Sequence, residues 1–177
     1  YFRRVDQALL KRLAGEEPPV ILAGVESVCA RFRHVSQYPN LQRETIAGNP
    51  DRVSAGEFHA AVWTRVQDVL AAARRRFLED YGAAVRWGLA GSDVEAILRA
   101  ARQGRVDTLL AASGRTVWGT YDREEDRAVR HDTRQPGDVD LLDAAAVEVL
   151  AQGDKVLLAS TEEIPEGSPV AASFRYP

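Results

Sequence analysis

The side chains best suited to chemistry in this sequence are one histidine and four aspartates that follow one another closely. They are His131, Asp132, Asp138, Asp140 and Asp143. An imidazole and several carboxylates at this density could gather a divalent cation or act as an acid–base set. Aspartates also favour the N-cap and first turn of a helix, which is the interpretation that the spacing favours. We therefore predict that Asp138 or Asp140 caps a helix and that Asp143 lies in its first turn.

Three aromatic residues and an arginine run are the other candidates for binding. The rings of Trp87, Trp118 and Tyr121 could stack on nucleic-acid bases, although large rings are more often core residues. The arginines at 74–76 could contact RNA or an acidic protein. The alternative, which their position on a helix favours, is a solvated face where Arg75 and Arg76 pair with Glu79 or Asp80 one turn later.

Common catalytic and metal-binding signatures are missing from the sequence. The three histidines, His34, His59 and His131, are far apart and show no zinc-ligand spacing. On a helix, Cys29 and His34 point in different directions, so they cannot form a nucleophile–base pair. Gly-x-Ser-x-Gly, Gly-x-x-x-x-Gly-Lys and Gly-x-Gly-x-x-Gly do not occur. We predict no metal, no cofactor and no catalytic residue.

The composition excludes several classes of protein. The 177 residues carry 23 basic and 26 acidic side chains, a net charge of −3, which disfavours independent binding of RNA or DNA. A single cysteine cannot form an internal disulfide, and no apolar run is long enough for a membrane span. The first residues fit neither a signal peptide nor a start methionine. The expectation is a soluble, cytoplasmic α/β protein that lacks its native N-terminus.

Hydrophobic periodicity places these candidates on alternating helices and strands. In the first half we predict a helix at 2–14, a buried strand at 20–25, a helix at 26–36, a strand at 41–46 and a turn at 48–51. The apolar stripe of the second helix is predicted to comprise Val25, Val28, Cys29 and Phe32. Ser54 and Glu57 form a capping box, and apolar residues then recur every three or four positions as far as Val85. This pattern predicts a long helix, either a strut between two lobes or bent near Gly82.

The second half continues the alternation. Gly88 to Gly91 break the long helix, and Ser92 with Glu95 forms a second capping box. The predicted elements that follow are a helix ending before Gly104, buried strands at 106–112 and 155–160, a strand at 116–121, an exposed loop at 122–138, a helix ending at Gly153, a polar turn at 161–166, and an edge or half-buried strand at 170–176.

Two segments of the C-terminal half carry a family resemblance. The segment 93–110, with Gly104, Val106, Leu109 and Leu110 as its pattern, resembles the start of the C-terminal domain of archaeal and eukaryotic class-one peptide release factors and of Pelota. The close of the chain, 155–176, resembles the last two strands of that domain. Bacterial archaeo-eukaryotic release factor families carry further motifs, which here look like Trp118-Gly119, His131-Asp132 and the segment 137–143. Residues 20–80 look like the latter part of the preceding middle domain.

The resemblance implies both an architecture and a function. It implies part of a ribonuclease-H-like middle domain at 1–53, a connecting helix at 54–88, and a C-terminal α/β/α sandwich at 89–177 that resembles kink-turn-binding ribosomal proteins. Family members are linked to translation termination or to rescue of stalled ribosomes. Their hydrolytic members depend on a Gly-Gly-Gln loop, which is absent from these 177 residues.

The expected function is therefore a non-enzymatic, ribosome-associated docking module. Its expected partner is the ribosome or a translation-factor protein, with local rRNA or tRNA contact and without DNA or membrane binding. The predicted binding residues are Trp118, Asp122, His131, Asp132, Asp138, Arg74 and Arg75. Two alternatives remain open: a small-molecule or nucleotide-binding enzyme that uses the loop region 113–138, and a structural oligomerisation module.

Overall fold

The computed structural model describes residues 1–14, 18–48 and 54–177. They belong to two compact units, Tyr1–Val69 and Leu70–Pro177. The predicted turn at 48–51 falls outside the described residues from position 49 onward.

The first unit contains a parallel β-α-β motif. Its elements are helix α1 (Phe2–Arg12), strand β1 (Val20–Gly24), helix α2 (Glu26–Val35) and strand β2 (Leu41–Ala47). The two strands pair in parallel from Val20 opposite Leu41 to Gly24 opposite Ala47. These four elements confirm the predicted ones. However, β1 is only half-buried, and Cys29 and Phe32 are buried while Val25 and Val28 are about half exposed. The apolar stripe of α2 is therefore narrower than predicted: its buried residues are Cys29 and Phe32, and the Phe32 ring contacts Phe2 of α1 edge-on.

Helix α3 (Ala55–Arg86) contributes residues to both units. Its predicted capping box is confirmed: the Ser54 amide donates to Glu57 Oε2 at 2.9 Å, and the Glu57 amide donates to Ser54 Oγ at 3.3 Å. Phe77 and Tyr81 are its buried side chains. The apolar face that the sequence predicts is thus a core face mainly in the C-terminal half of the helix.

The second unit is built on a four-stranded mixed sheet. Its elements are strand β3 (Ala90–Gly91), helix α4 (Val94–Arg102), strands β4 (Val106–Ala112), β5 (Trp118–Asp122), β6 (Arg127–Arg130) and β7 (Val139–Asp140), helix α5 (Leu141–Ala151), and strands β8 (Lys155–Ala159) and β9 (Val170–Phe174). The strand order is β3-β9-β4-β8, with β9 antiparallel to both neighbours and β4 parallel to β8. The predicted mixed α/β class is confirmed.

Alternating residues of the central strands fill two hydrophobic cores, one on each face of this sheet. Leu109 and Val170 pack with residues of α4 and α5 such as Ile97 and Val149. Leu110, Ala112 and Ala171 pack on the other side with Phe77 and Tyr81 of α3. Each face of the sheet is therefore covered by helix, because neighbouring side chains of a strand point in opposite directions.

Two predictions about this sheet are wrong, and one strand was missed. Strand β9 was expected to be an edge or half-buried strand, but it lies inside the sheet with Val170, Ala171 and Ala172 fully buried. Strand β8 was expected to be buried, but it is an edge strand with Leu158 exposed. The short strand β3 was not predicted. Strand order depends on partners distant in sequence, which local hydrophobicity does not report.

A second, three-stranded sheet lies between β4 and α5 in the chain. Its order is β6-β5-β7, and both pairs are antiparallel. The prediction of an exposed loop at 122–138 is wrong for 127–130, since Gly119 to Asp122 pair with Arg130 to Arg127. This strand was not recognised in the sequence because of its charged residues. The turn is held by Asp122 Oδ1, which accepts hydrogen bonds from the amides of Glu124 and Glu125 at 2.9 and 3.0 Å.

The predicted capping box at the start of α4 is also wrong. Asp93 is the N-cap, and its Oδ1 accepts a hydrogen bond from the Ala96 amide at 2.7 Å. The Ser92 hydroxyl donates instead to Glu166 Oε2 at 2.5 Å. Glu95 accepts a hydrogen bond from the Arg130 amide at 2.8 Å. Pairing of Ala90 and Gly91 with β9 holds Ser92 outside the helix, so the cap falls one residue later.

Candidate functional site

Trp118 and His131 are neighbours on the outer face of the three-stranded sheet. The His131 amide donates to the Trp118 carbonyl at 2.8 Å, which extends the β5–β6 ladder by one residue. A Cβ on Gly119 would lie 2.6 Å from Leu141 Cδ1, and Tyr121 packs against the core, so these residues face inward. Because side chains alternate along a strand, Trp118 faces outward.

A guanidinium covers the Trp118 ring. Arg134 Cζ lies 4.4 Å from the ring centroid, which is cation–π distance. Trp118 is partly buried, and Arg134 is exposed. This arrangement presents a flat, positively charged surface built from a ring and a planar cation.

The His131 ring is held from behind by a buried carboxylate. Its Nδ1 lies 2.8 Å from Oδ1 of Asp138, whose side chain is 0% exposed. Asp138 Oδ2 accepts a second hydrogen bond from the Gln135 amide at 2.8 Å. An ionised carboxylate can only accept hydrogen bonds, so with Asp138 ionised Nδ1 is the donor of this bond. The opposite ring nitrogen, Nε2, is therefore left for an external partner.

The structure brings together three of the seven predicted binding residues, Trp118, His131 and Asp138. Arg134 and Gln135 complete the cluster and were missed by sequence reasoning. The signal that could have found Arg134 is a cation three residues after a histidine, in a loop next to a strand that begins with a tryptophan. Gln135 contributes only its backbone amide, which no residue type reveals.

The other predicted residues lie outside this cluster. Asp122 is at the far end of β5, where it holds the hairpin turn, and Asp132 is exposed on the loop. Arg74 lies 3.7 Å from Glu163, a contact that the sequence did not predict. Arg75 is exposed on α3.

The aspartates nearest α5 have structural roles. Asp140 is the N-cap, and its Oδ1 accepts hydrogen bonds from the amides of Leu142 at 3.0 Å and Val117 at 3.1 Å. Asp143 lies in the first turn, as predicted. Across residues 1–14, 18–48 and 54–177, no three potential ligand side chains converge on a metal position. Asp138 is not a cap, because its carboxylate turns back toward His131.

The remaining aromatic candidates separate into core and surface residues. The Tyr121 hydroxyl donates to Glu148 Oε1 at 3.1 Å, and its ring packs against the core. Arg123 forms an ion pair with the same buried carboxylate at 2.8 Å. Trp87 is 75% exposed at the end of α3. Trp118 is thus the candidate ring that combines a fixed position with cationic neighbours.

A small cavity lies beside the N-terminus of α4. Its volume is about 150 Å³, and it is lined by Ser92, Asp93, Val94, Glu95, Arg130, Ser168 and Pro169. Asp93 and Glu95 already accept backbone hydrogen bonds, and Ser168 donates its hydroxyl to the Ser92 carbonyl at 2.9 Å. The polar groups of this cavity therefore serve the fold.

Solved structures of several proteins resemble the chain, among them the following three. Archaeal Pelota, described ribosome-bound with ABCE1, is 18% identical at a TM-score of 0.53, covering 99% of this chain and 48% of that one. Dom34 of Saccharomyces cerevisiae is 14% identical at a TM-score of 0.51, covering 100% and 51%. The C-terminal domain of a peptide chain release factor from Methanosarcina mazei is 14% identical at a TM-score of 0.51, covering 71% and 97%. The likeness at these identities is one of fold, and the chain spans about half the length of the Pelota and Dom34 chains.

The fold is thus that of the Pelota and release-factor class of proteins. The sequence model of the bacterial archaeo-eukaryotic release factor family 3 matches residues 1–105, more than half of the chain. The chain belongs to this family, which confirms the resemblance seen in the sequence. A search of curated proteins found no match. No helix in the described part of the chain has both the length and the hydrophobicity that a membrane span requires.

Proposed function

We propose that this chain is a non-enzymatic part of a ribosome-associated factor for translation termination or ribosome rescue, and that its C-terminal half docks onto protein or rRNA. The observation that carries the proposal is the family match over residues 1–105. The likeness in fold to Pelota and Dom34 extends over 99% and 100% of the chain and supports it. The partner in this proposal is the ribosome or a translation-factor protein.

The relatives suggest which partners to test. One is described as Pelota on the ribosome with ABCE1, and another as a termination-like factor in RNA quality control that interacts with Hbs1. A partner of this kind, in the cytoplasm, is the one that we propose for this chain. Neither DNA nor a membrane is part of the proposal.

The proposed domain organisation follows the resemblance. Residues 1–53 are the latter part of a ribonuclease-H-like middle domain, 54–88 the connecting helix, and 89–177 the C-terminal domain with a fold like kink-turn-binding ribosomal proteins. The parallel β-α-β motif of the first unit and the helix-covered sheet of the second support this organisation. The division of the chain into compact units falls within α3, after Val69.

The docking role is preferred to hydrolysis because the catalytic loop of the true release factors is not in this sequence. Gly-Gly-Gln does not occur among the 177 residues. We therefore assign no catalytic residue and no cofactor to this chain. The residues proposed for docking are Trp118, His131 and Asp138, with Asp122, Asp132, Arg74 and Arg75 as flanking contacts to be tested individually.

Co-sedimentation with ribosomes tests the proposal. The 177-residue chain is centrifuged through a sucrose cushion at low salt with empty ribosomes and with stalled ribosome–nascent-chain complexes. We expect the chain in the ribosomal pellet, and we expect added salt to release it if the contact is electrostatic. The chain alone controls for aggregation. Absence from the pellet with both kinds of ribosome contradicts the proposal.

One observation favours a second candidate, a small-molecule or nucleotide-binding enzyme that uses the 113–138 region. A histidine oriented by a buried carboxylate, as His131 is by Asp138, is the usual arrangement of a general base. This candidate predicts a rise in melting temperature with nucleotides or divalent cations. This ligand-induced rise should disappear in Asp138→Ala, and Asp132→Ala tests whether the exposed neighbouring residue is also needed. The melting temperature of each variant is compared with and without ligand.

A further inference from the structure

The outer face of the β5–β6 hairpin combines a tryptophan, an arginine and a histidine at its open end. Arg134 lies over the Trp118 ring at 4.4 Å, and the His131 backbone pairs with Trp118. The His131 ring is fixed by Asp138, which is fully buried. These side chains are therefore held in place before any ligand arrives, which lowers the entropy lost on binding.

The exposed cation of this face is the Arg134 guanidinium, and Arg115, three residues before Trp118 in the sequence, is also exposed. Arg130 lies opposite Gly119 and lines the cavity beside α4 together with Asp93 and Glu95, so it is not counted with them. The acids nearest Trp118 are Asp132, Asp138 and Asp140, of which Asp138 and Asp140 already accept backbone hydrogen bonds. The positive charge offered to a ligand is therefore that of the guanidinium held over the Trp118 ring.

We propose that the outer face of the hairpin at Trp118, His131 and Arg134 binds single-stranded RNA. A base stacks on the layer formed by the Trp118 ring and the Arg134 guanidinium. This stacking tolerates any sequence, because every base has a π-face. Phosphate oxygens accept hydrogen bonds from Arg134 and from Arg115. His131 Nε2 accepts a hydrogen bond from the ribose 2′-hydroxyl, which DNA lacks. This inference rests on the proposed docking function and names RNA as the molecule that is docked.

RNA fits this face better than a protein segment does. The side chains that define it are a ring, two cations and an imidazole, and a protein hot spot needs an apolar anchor in a desolvated pocket. In this proposal Arg115 and Arg134 each contact one phosphate. The slope of log K against log salt should therefore be small, about −1.4 for two contacts with a single strand.

Fluorescence anisotropy with a labelled octauridylate tests the proposal on the full 177-residue chain. We expect Trp118→Ala and Arg134→Gln each to weaken binding, the first by about tenfold or more, which is the loss that removal of one stacking ring produces. Trp118→Phe should retain part of the affinity. Asp132→Asn should tighten binding, because it removes an exposed negative charge next to His131 in the sequence. Octadeoxyuridylate should bind more weakly than the RNA.

Matched controls separate this site from other exposed tryptophans and arginines. Trp87→Ala removes a ring that is 75% exposed elsewhere in the chain, and Arg86→Gln removes a neighbouring helix cation; neither should change the affinity. In a Trp63→Phe, Trp87→Phe background, the fluorescence of Trp118 should be quenched by octauridylate. Thermal melts confirm that each variant is folded, and Arg134→Gln tests the site even if Trp118→Ala does not fold.

Several results would overturn the inference. They are absence of octauridylate binding, equal affinity for RNA and DNA, equal loss in Trp118→Ala and Trp87→Ala, and an unchanged Trp118 signal. Ribosome co-sedimentation of the same variants distinguishes this failure from that of the proposed function. If the wild type pellets with ribosomes without binding octauridylate, the function stands and the RNA site fails. If it binds octauridylate and never pellets, the RNA site stands and the function fails.

Discussion

His131 and Asp138 form a hydrogen bond of 2.8 Å in which the carboxylate is completely buried and the imidazole reaches the surface. The aspartate also accepts the Gln135 amide, so one side chain closes the loop that follows β6 and fixes the ring at its edge. A buried carboxylate is costly unless its lone pairs are satisfied. The loop that carries Arg134 over Trp118 is therefore held by Asp138.

Asp138→Asn should destabilise the protein by about 1 to 3 kcal/mol, the range for loss of hydrogen bonds to a buried charged group. The amide keeps one acceptor oxygen, whereas the aspartate uses two. The free energy of unfolding from urea titrations at pH 7 measures the effect. Asp132→Asn is the matched control on the exposed loop, and it should change stability by less than about 0.5 kcal/mol. Equal effects of the two substitutions would contradict the structural role given to Asp138.

Gly119→Ala should destabilise the second unit, because β5 crosses α5 without room for a side chain. A Cβ at this position would overlap the Val129 carbonyl oxygen and lie 2.6 Å from Leu141 Cδ1. Overpacking of this kind costs about 1 to 3 kcal/mol, and the partners here are backbone and a fully buried leucine. Urea denaturation followed by circular dichroism measures the loss.

Gly82→Ala is the control for the preceding substitution. Gly82 lies inside α3, and an added Cβ there meets nothing within 4 Å. Alanine is the better helix former by about 0.5 to 1 kcal/mol, so the variant should be more stable than the wild type. A destabilised Gly82→Ala would show that α3 packs more closely at this position than described.

Asp140→Ala should cost more stability than Asp143→Ala, although both aspartates lie at the start of α5. Asp140 Oδ1 accepts the amides of Leu142 and Val117, so it joins the helix to the strand leading into β5. Loss of an N-cap costs about 0.5 to 2 kcal/mol. Asp143 is exposed and interacts chiefly with the helix dipole, worth about 0.3 to 1 kcal/mol. Melting temperatures at low and high salt separate the capping effect of Asp140 from the helix-dipole effect of Asp143. Salt screens the dipole interaction but does not remove the hydrogen bonds of the cap.

The sequence predicted the elements that depend on local signals. The Ser54–Glu57 capping box marks the start of α3, and Gly104, with φ at +67°, follows the end of α4. Both are detectable because the residue type itself satisfies a local backbone requirement. Trp118, His131 and Asp138 were named as binding candidates from their residue types, and the structure places them together, while their role in binding stays a prediction.

What the sequence could not predict depends on pairing between distant residues. Strand β6 is rich in arginine and becomes a strand only because β5 pairs with it. Strand β9 lies at the centre of the sheet because β3 and β4 flank it. Arg134 was overlooked because it is a binding candidate only through its contact with the Trp118 ring. That contact depends on the loop closed by Asp138.

The stability of the protein should fall at high pH, in part because of Tyr121. Burial, followed by the hydrogen bond to the Glu148 carboxylate and its charge, raises the pKa of Tyr121 in the folded state. The unfolded pKa is about 10, so above that pH the unfolded chain holds fewer protons than the folded one, and stability decreases as pH rises. The stability that the Tyr121 proton contributes is fully present below about pH 10 and is lost as the pH rises toward the pKa of Tyr121 in the folded state.

The urea midpoints at pH 8.5, 9.5 and 10.5 should fall less steeply for Tyr121→Phe than for the wild type. Equal slopes for wild type and Tyr121→Phe would show that the Tyr121 proton does not contribute to the loss of stability.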